Sequence, residues 1–312
     1  MDPAVLIIAI LQATVRAGTP ILFACVGEIY AERSGNLNLG VEGMMLIGAI
    51  AGFFTSFVTQ SAVAGVVMAA LLGAAFSLVH AYVTITLRAD QIVSGLTLTL
   101  LGTGISGFFG QSMIGRVAPG FEKLPLPGLS KIPWIGPILF QQDALVYFSY
   151  ILVPIAWWVL YRTHLGLSIR SVGENPDTAD SLGVRVSVTR YGCVMFGGAT
   201  AGIAGAYLSL AYTTMWIEQM TAGRGWIAIA LVIFAGWNPM KAFLGAYLFG
   251  GADAMQLRFQ AIGTPIPAHF LMMLPYLLTI GILILATRES VRRRLGAPAA
   301  LGIPYAREER SR

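Results

Sequence analysis

The sequence predicts an all-α polytopic membrane protein with about nine transmembrane helices, eight to ten by the runs that can be marked. Three observations carry this. Only 11% of the residues are charged and 56% are hydrophobic, with mean hydropathy +0.73, whereas a soluble domain carries about a quarter charged residues. Apolar stretches of about 20 residues recur, each long enough to cross ~30 Å of hydrocarbon. These stretches are continuous rather than alternating. Backbone groups in lipid must be satisfied internally, so helices are left and a β-barrel is not.

Taken in order, the spans run over 5–30, 39–57, 62–87, 92–113, 144–161, 188–212, 225–237, 243–260 and 269–287. The first follows Met1-Asp2-Pro3, which has neither a basic region nor a small-residue cleavage site, so it is expected to stay in the protein. The seventh is short and reads as re-entrant or broken. Between the fourth and fifth, 114–143 holds Pro119, Pro125, Pro127, Pro133 and Pro137 with Gly120, Gly128 and Gly136, too many breakers for a span and enough for a structured external loop. The membrane domain is thus 1–287, with an inner loop at 162–187 and a basic tail at 288–312.

Basic residues fix the orientation. With the N-terminus outside, the inner segments collect Arg33, Arg88, Arg162, Arg170, Arg185, Arg190, Lys241 and the seven arginines of the tail (Arg288, Arg292, Arg293, Arg294, Arg307, Arg310 and Arg312). The outer side holds Arg116, Lys123, Lys131, Arg224 and Arg258. This bias predicts a cytoplasmic C-terminus by the positive-inside rule, and it reads the tail as topogenic rather than as a nucleic-acid site. Cys25 and Cys193 fall in or beside spans and read as small core residues, not as a disulfide framework.

Glycine is abundant at 36 residues. Gly48 and Gly52, and Gly198 and Gly202, stand four apart, a spacing that lets helix backbones approach closely in lipid. Tight packing within the chain is expected at both pairs. No repeat of 20–50 residues is visible.

The inner loop contains Gly173-Glu174-Asn175-Pro176-Asp177-Thr178-Ala179-Asp180-Ser181-Leu182-Gly183. Asn175 suits an N-cap and Pro176 the first helical position. Asp177 and Asp180 complement the helix dipole, and Gly183 supplies a left-handed terminus. The result is a two-turn helix with Ala179 and Leu182 on one face. So short a helix is unstable alone. Docking on a partner and packing against the protein's own inner face would each hold it, and the local signals do not separate them.

The run from Gly173 to Pro176, with Ala179 and Gly183, resembles the coupling loop of ATP-binding cassette (ABC) importer permeases of the branched-chain amino acid, ribose and nucleoside group. Two further blocks resemble the same family: Glu32-Arg33-Ser34-Gly35-Asn36-Leu37-Asn38-Leu39-Gly40-Val41-Glu42-Gly43-Met44-Met45, and Phe234-Ala235-Gly236-Trp237-Asn238-Pro239 with Gly245 and Phe249-Gly250-Gly251-Ala252-Asp253-Ala254. The resemblance covers about residues 10–285 and is nearest to the nucleoside permeases that work with basic-membrane-protein-type lipoproteins. It implies a type II ABC importer-like fold lacking the first of ten helices, and a bacterial inner-membrane location. It further implies an ABC ATPase subunit docked on Gly173–Gly183, a second and non-identical permease, and an external substrate-binding protein. The solute would be a nucleoside, otherwise a simple sugar.

Charged and polar groups inside spans are functional candidates by default, because lipid makes them costly. Glu42, beside Asn36 and Asn38 in a glycine-broken stretch, is either part of an inner gate or an anchor paired with Arg33 or a partner subunit. Arg16 lines a path or forms a fixed structural pair, and Glu28, about 18 Å away along the same helix, is too far to be its partner. Gln91, Ser94 and Thr97 recur every three residues; they hydrogen-bond a solute or, more commonly, bridge helices. Asp253 and Trp226 are weaker candidates. No phosphate-binding G-x-x-x-x-G-K-[ST], nucleophile elbow or metal cluster occurs, so ATP hydrolysis, other enzyme activity, a metal and a cofactor are not expected. An ion-coupled secondary transporter would need a charged mid-membrane relay, for which Arg16 and Asp253 are a thin basis.

Overall fold

A computed structural model describes residues 3–262, 267, 270–271, 273–286 and 296–306. The arginines at 288–294 and 307–312, and parts of the ninth predicted span, lie outside the described residues. The elements are α1 (Pro3–Arg33), α2 (Val41–Thr59), α3 (Ala62–Ala81), α4 (Gln91–Gly110), α5 (Ile135–Leu139), α6 (Ala144–Arg162), α7 (His164–Glu174), α8 (Pro176–Ser181), α9 (Val186–Tyr207), α10 (Arg224–Phe234), α11 (Pro239–Ile262) and α12 (Leu274–Ala286). Side-chain caps set several starts. Asp90 Oδ1 accepts from Val93 N at 2.8 Å, and Asp143 Oδ1 accepts from Leu145 N and Val146 N at 3.0 and 3.1 Å, satisfying donors that a helix start leaves without partners.

Among the described residues, six helices are long and apolar enough to cross a membrane: 5–33, 41–59, 62–86, 91–113, 144–162 and 186–212. The last three predicted spans differ in kind. α10 has only 11 residues. It stops at a reversal in which Gly236 and Trp237 both take positive φ, 60° and 54°. α11 is 24 residues long but carries Lys241, Asp253 and Arg258, and α12 is described over 13.

The core is organised around α9, which packs between α2 and α3 while α1 lies along α9 and α11. Glycine makes this possible. A Cβ on Gly48 would lie 2.2 Å from Gly202 O, and one on Gly202 would lie 2.1 Å from Ala69 O. Backbone touches backbone there, the contact that small residues permit in lipid.

One end of the bundle gathers the C-termini of α1, α3 and α6 and the N-termini of α4 and α9, with α7 and α8 beneath them, while α2 starts deeper in the bundle, against the second turn of α4 and the start of α10. The other end carries residues 114–143, pinned where Ser56 Oγ donates to Pro119 O at 2.6 Å and Phe121 N to Leu210 O at 2.8 Å. That stretch contains short helical turns at Leu129–Lys131 and Ile135–Leu139.

Candidate functional site

The three sequence blocks that carry the resemblance converge on Arg33. Its guanidinium donates to Gly236 O at 3.2 Å, Trp237 O at 3.4 Å and Gly296 O at 3.1 Å, and lies 5.9 Å from the Trp237 ring centroid. Glu32 Oε2 accepts from Trp237 Nε1 at 2.5 Å. A Cβ on Gly173 would stand 2.1 Å from Arg33 O, so the loop before α8 abuts the end of α1 with no room for a side chain.

Residues 296–306 form a strap across this end. Ala300 N donates to Gly173 O at 2.8 Å and Gly302 N to Gly35 O at 3.2 Å. Arg190, buried on α9, donates to Ser34 O at 3.1 Å and Ile303 O at 3.2 Å. The strap therefore ties the end of α7 to the α1–α2 linker.

The α8 helix forms as its residues dictate. Asn175 Oδ1 accepts from Thr178 N at 3.0 Å, Pro176 occupies the first turn, and Gly183 takes φ +87°. Ala179 is 1% exposed, packed with Val172, Val186 and Tyr305. Leu182 does not share that burial: it ends the helix with φ −89° and ψ 8° and is 79% exposed. The expected common face of Ala179 and Leu182 is thus divided, because the chain has left helical geometry by Leu182. Glu174, Asn175, Asp177, Thr178 and Ser181 are exposed, and Asp180 is half-buried.

The linker between α1 and α2 is non-helical yet largely buried. Non-helical backbone inside a membrane bundle must find partners among neighbouring side chains, and here it does. Gln91 Oε1 accepts from Leu37 N at 2.7 Å, Glu28 Oε1 accepts from Asn38 N at 3.0 Å, and Thr99 Oγ1 donates to Leu39 O at 3.0 Å. Asn36 Nδ2 donates to Thr84 Oγ1 at 3.1 Å, while Asn38 Oδ1 accepts from Gly40 N at 2.9 Å. Ser94 lies 3.0 Å from His80 Nδ1, whose other ring nitrogen meets Leu37 O at 3.1 Å. Thr97 does not join this network: it donates back to Val93 O at 2.8 Å.

Glu42 does not pair with Arg33. Its carboxylate holds the start of α10, accepting from Thr221 Oγ1 at 2.6 Å, Gly223 N at 2.8 Å and Gly225 N at 2.6 Å. A carboxylate at a helix N-terminus meets free N–H groups and the positive end of the dipole. Glu42→Gln turns an acceptor into a donor facing donors, at a cost of about 1–3 kcal/mol. A lowered Tm in detergent is expected, and an unchanged one would remove Glu42 as the anchor of α10.

Sequence reasoning missed α7 and the strap. Thr163, whose Oγ1 accepts from Gly166 N at 3.2 Å, and the spacing of Leu165, Ile169 and Val172 were the signals for α7. For the strap, the apolar Pro298-Ala299-Ala300-Leu301 between arginine clusters was the signal.

Charged and polar residues also collect between α1, α10 and α11. Arg16 donates to Ala211 O at 2.6 Å, and its guanidinium lies 5.9 Å from the Tyr212 ring centroid. Arg224 lies 5.7 Å from the same centroid and pairs with Asp253 at 2.8 Å. Trp226, two residues on from Arg224 along α10, is 37% exposed and takes part in neither of these contacts.

These features define an integral membrane permease: a helical bundle with a buried, side-chain-supported break at one end and a capped helix projecting beside it. The chain belongs to the family described as the permease component of the branched-chain amino acid transport system, whose model matches residues 10–283. It is 38% identical to the nucleoside ABC transporter permease protein NupC of Lactococcus lactis, covering 92% of this chain and 93% of that one. It is 35% identical to the guanosine ABC transporter permease protein NupQ of Bacillus subtilis, over 99% and 100%. TsgC13 of Haloferax volcanii, which carries the name of a glucose ABC transporter permease, is 42% identical over 96% and 98%. No solved structure matches the chain.

Proposed function

We propose that the chain is one of two membrane subunits of an ATP-driven importer and that α8 is the element a separate ATPase subunit moves. The observation that carries this is the projection of α8: a capped helix presents Leu182 and a polar surface outward, while its other side is braced on Val172, Val186 and the Arg33 junction. A short helix that exposes one apolar residue beside a polar surface suits docking in a partner's groove. Motion of α8 would reach α1 through Gly173 and α9 through Val186.

Nine membrane crossings in a type II arrangement, N-terminus outside and C-terminus in the cytoplasm, agree with the placement of basic residues. In this reading α10, α11 and α12 are the short or charge-bearing crossings, and 114–143 is the external loop. The linker with Asn36, Asn38, Gln91 and Ser94, continued by Glu42, would act as the inner hinge, and Thr97 would stand apart from it. An external binding protein delivers the solute. The names of the relatives favour a nucleoside, otherwise a simple sugar, and the family resemblance favours a non-identical second permease.

The test is purification of the tagged chain in mild detergent with its co-purifying subunits, followed by reconstitution and ATP-driven uptake of labelled uridine and glucose. An associated ATPase and uptake of either solute are expected. A chain that purifies alone, fold intact and without ATPase, would overturn the proposal.

A further inference from the structure

Two cavities lie beside the cluster of Arg16, Arg224 and Asp253. One, between α1 and α11, is bordered by Arg16, Tyr212 and Arg258. The other extends past Arg224, Asp253, Gln256 and Tyr276 to an apolar floor of Ile21, Ile227 and Phe249. The Arg224–Asp253 pair faces this space with side chains 14% and 19% exposed. The register of the helices sets the depth: a Cβ on Gly250 would meet Thr14 O at 2.5 Å and Gly18 N at 2.4 Å. Asp253 is therefore one turn from the level of Arg16, and Ile21 lies farther along α1 toward the linker end.

We propose that this cleft is a solute subsite of the permease, and that it takes a ring bearing vicinal hydroxyls, the chemistry shared by nucleosides and free sugars. The inference rests on the importer reading above. Charged side chains in a membrane domain are costly, and they cluster where a polar path runs. A simple brace would need one ion pair, yet two guanidiniums share one aromatic ring here and a third borders the space. Arg224 and Asp253 already neutralise each other, so a solute meets donors and an acceptor side by side rather than a bare charge. Adjacent hydroxyls, each both donor and acceptor, match that pair. Tyr276 lines the same cleft, and Ile21, Ile227 and Phe249 close the bottom.

The experiment uses the reconstituted complex with its own binding protein and measures uptake of labelled uridine, glucose and leucine beside ATP hydrolysis. Asp253→Asn and Arg224→Gln should each lower saturated uptake of the transported polyol about tenfold or more, the scale of one lost hydrogen bond to a charged group. ATP hydrolysis should remain within about twofold. Loss for both uridine and glucose assigns the contact to the hydroxylated ring; loss for uridine with glucose transport intact points to the base and overturns the assignment. If Asp253→Asn fails to assemble, Asp253→Glu keeps the charge and displaces it, and reduced uptake is again expected. Uptake by either variant within about twofold of the unaltered complex would overturn the subsite alone. Restoration by the exchanged pair Arg224→Asp with Asp253→Arg would also overturn it, since only a structural brace survives exchange. Leucine uptake with neither polyol transported would overturn the ligand class together with the solute reading above.

Discussion

A permease carrying Asn175→Gly and Pro176→Gly is expected to reach the membrane and assemble with its ATPase while moving solute at a tenth of the normal rate or less. The reason lies in how little holds α8 in shape. Its six residues are too few to nucleate a helix in water. It relies on the Asn175 cap at 3.0 Å, worth about 1 kcal/mol, and on a proline that fixes φ at the first turn. Glycine still serves as a cap, so losing the Asn175 side chain costs only a few tenths of a kcal/mol, and glycine in the first turn in place of the fixed proline adds about 0.5–1 kcal/mol of chain entropy. The total is about 1–1.5 kcal/mol, enough to unsettle a helix this short when no partner grips it. The rest of the fold does not depend on this turn, because Val172 and Val186 keep their own helices. ATP hydrolysis and uptake measured in the same proteoliposomes decide the matter: hydrolysis without uptake is expected, and unchanged uptake would show that α8 transmits no force.

The second large effect is structural. Gly202→Leu should yield no folded protein. A Cβ there would sit 2.1 Å from Ala69 O and 3.3 Å from Gly73 Cα. Retreat is blocked, since Gly48 on α2 is already against Gly202 O on the other side, where a Cβ would have 2.2 Å. Overpacking a core with room to adjust costs about 1–3 kcal/mol. Prising α9 from both neighbours costs a large share of the about 5–15 kcal/mol that holds a typical protein folded. Gly192→Leu on the same helix is the control, because a Cβ there meets nothing within 4 Å. Monodisperse yield after detergent extraction should be normal for Gly192→Leu and lost for Gly202→Leu. Equal yields would show that the α2–α9–α3 contact is looser than described.

These cases also show which parts of the molecule could be read from residues alone. The shape of α8 was legible because its causes are local: a cap at Asn175, a fixed φ at Pro176 and a left-handed Gly183 act within one short segment. The membrane-length helices were legible for the same reason, since each apolar run declares itself. The burial of Ala179 without Leu182 was not legible, because it depends on Val186 and on Tyr305, far along the chain. Glu42 shows the limit most clearly. Sequence proximity offered Arg33, whereas the actual partners are Thr221, Gly223 and Gly225, about 180 residues away. Gln91 and Ser94 advertised hydrogen bonding but not with what. Their partners proved to be Leu37 N and His80, fixed by how α4 lies against a non-helical linker that no periodicity predicts.

The strap at 296–306 gives the molecule a calendar. Gly35 and Gly173 emerge from the ribosome early and midway, yet the segment that joins them is translated after α12. Until Ala300 and Gly302 arrive to bond Gly173 O and Gly35 O, the junction around Arg33 lacks one of its walls. Insertion of the helices and completion of the end that bears α8 are therefore separate events in time. A nascent chain stalled before residue 296 already has its membrane-length helices, but not the finished surface beside α8.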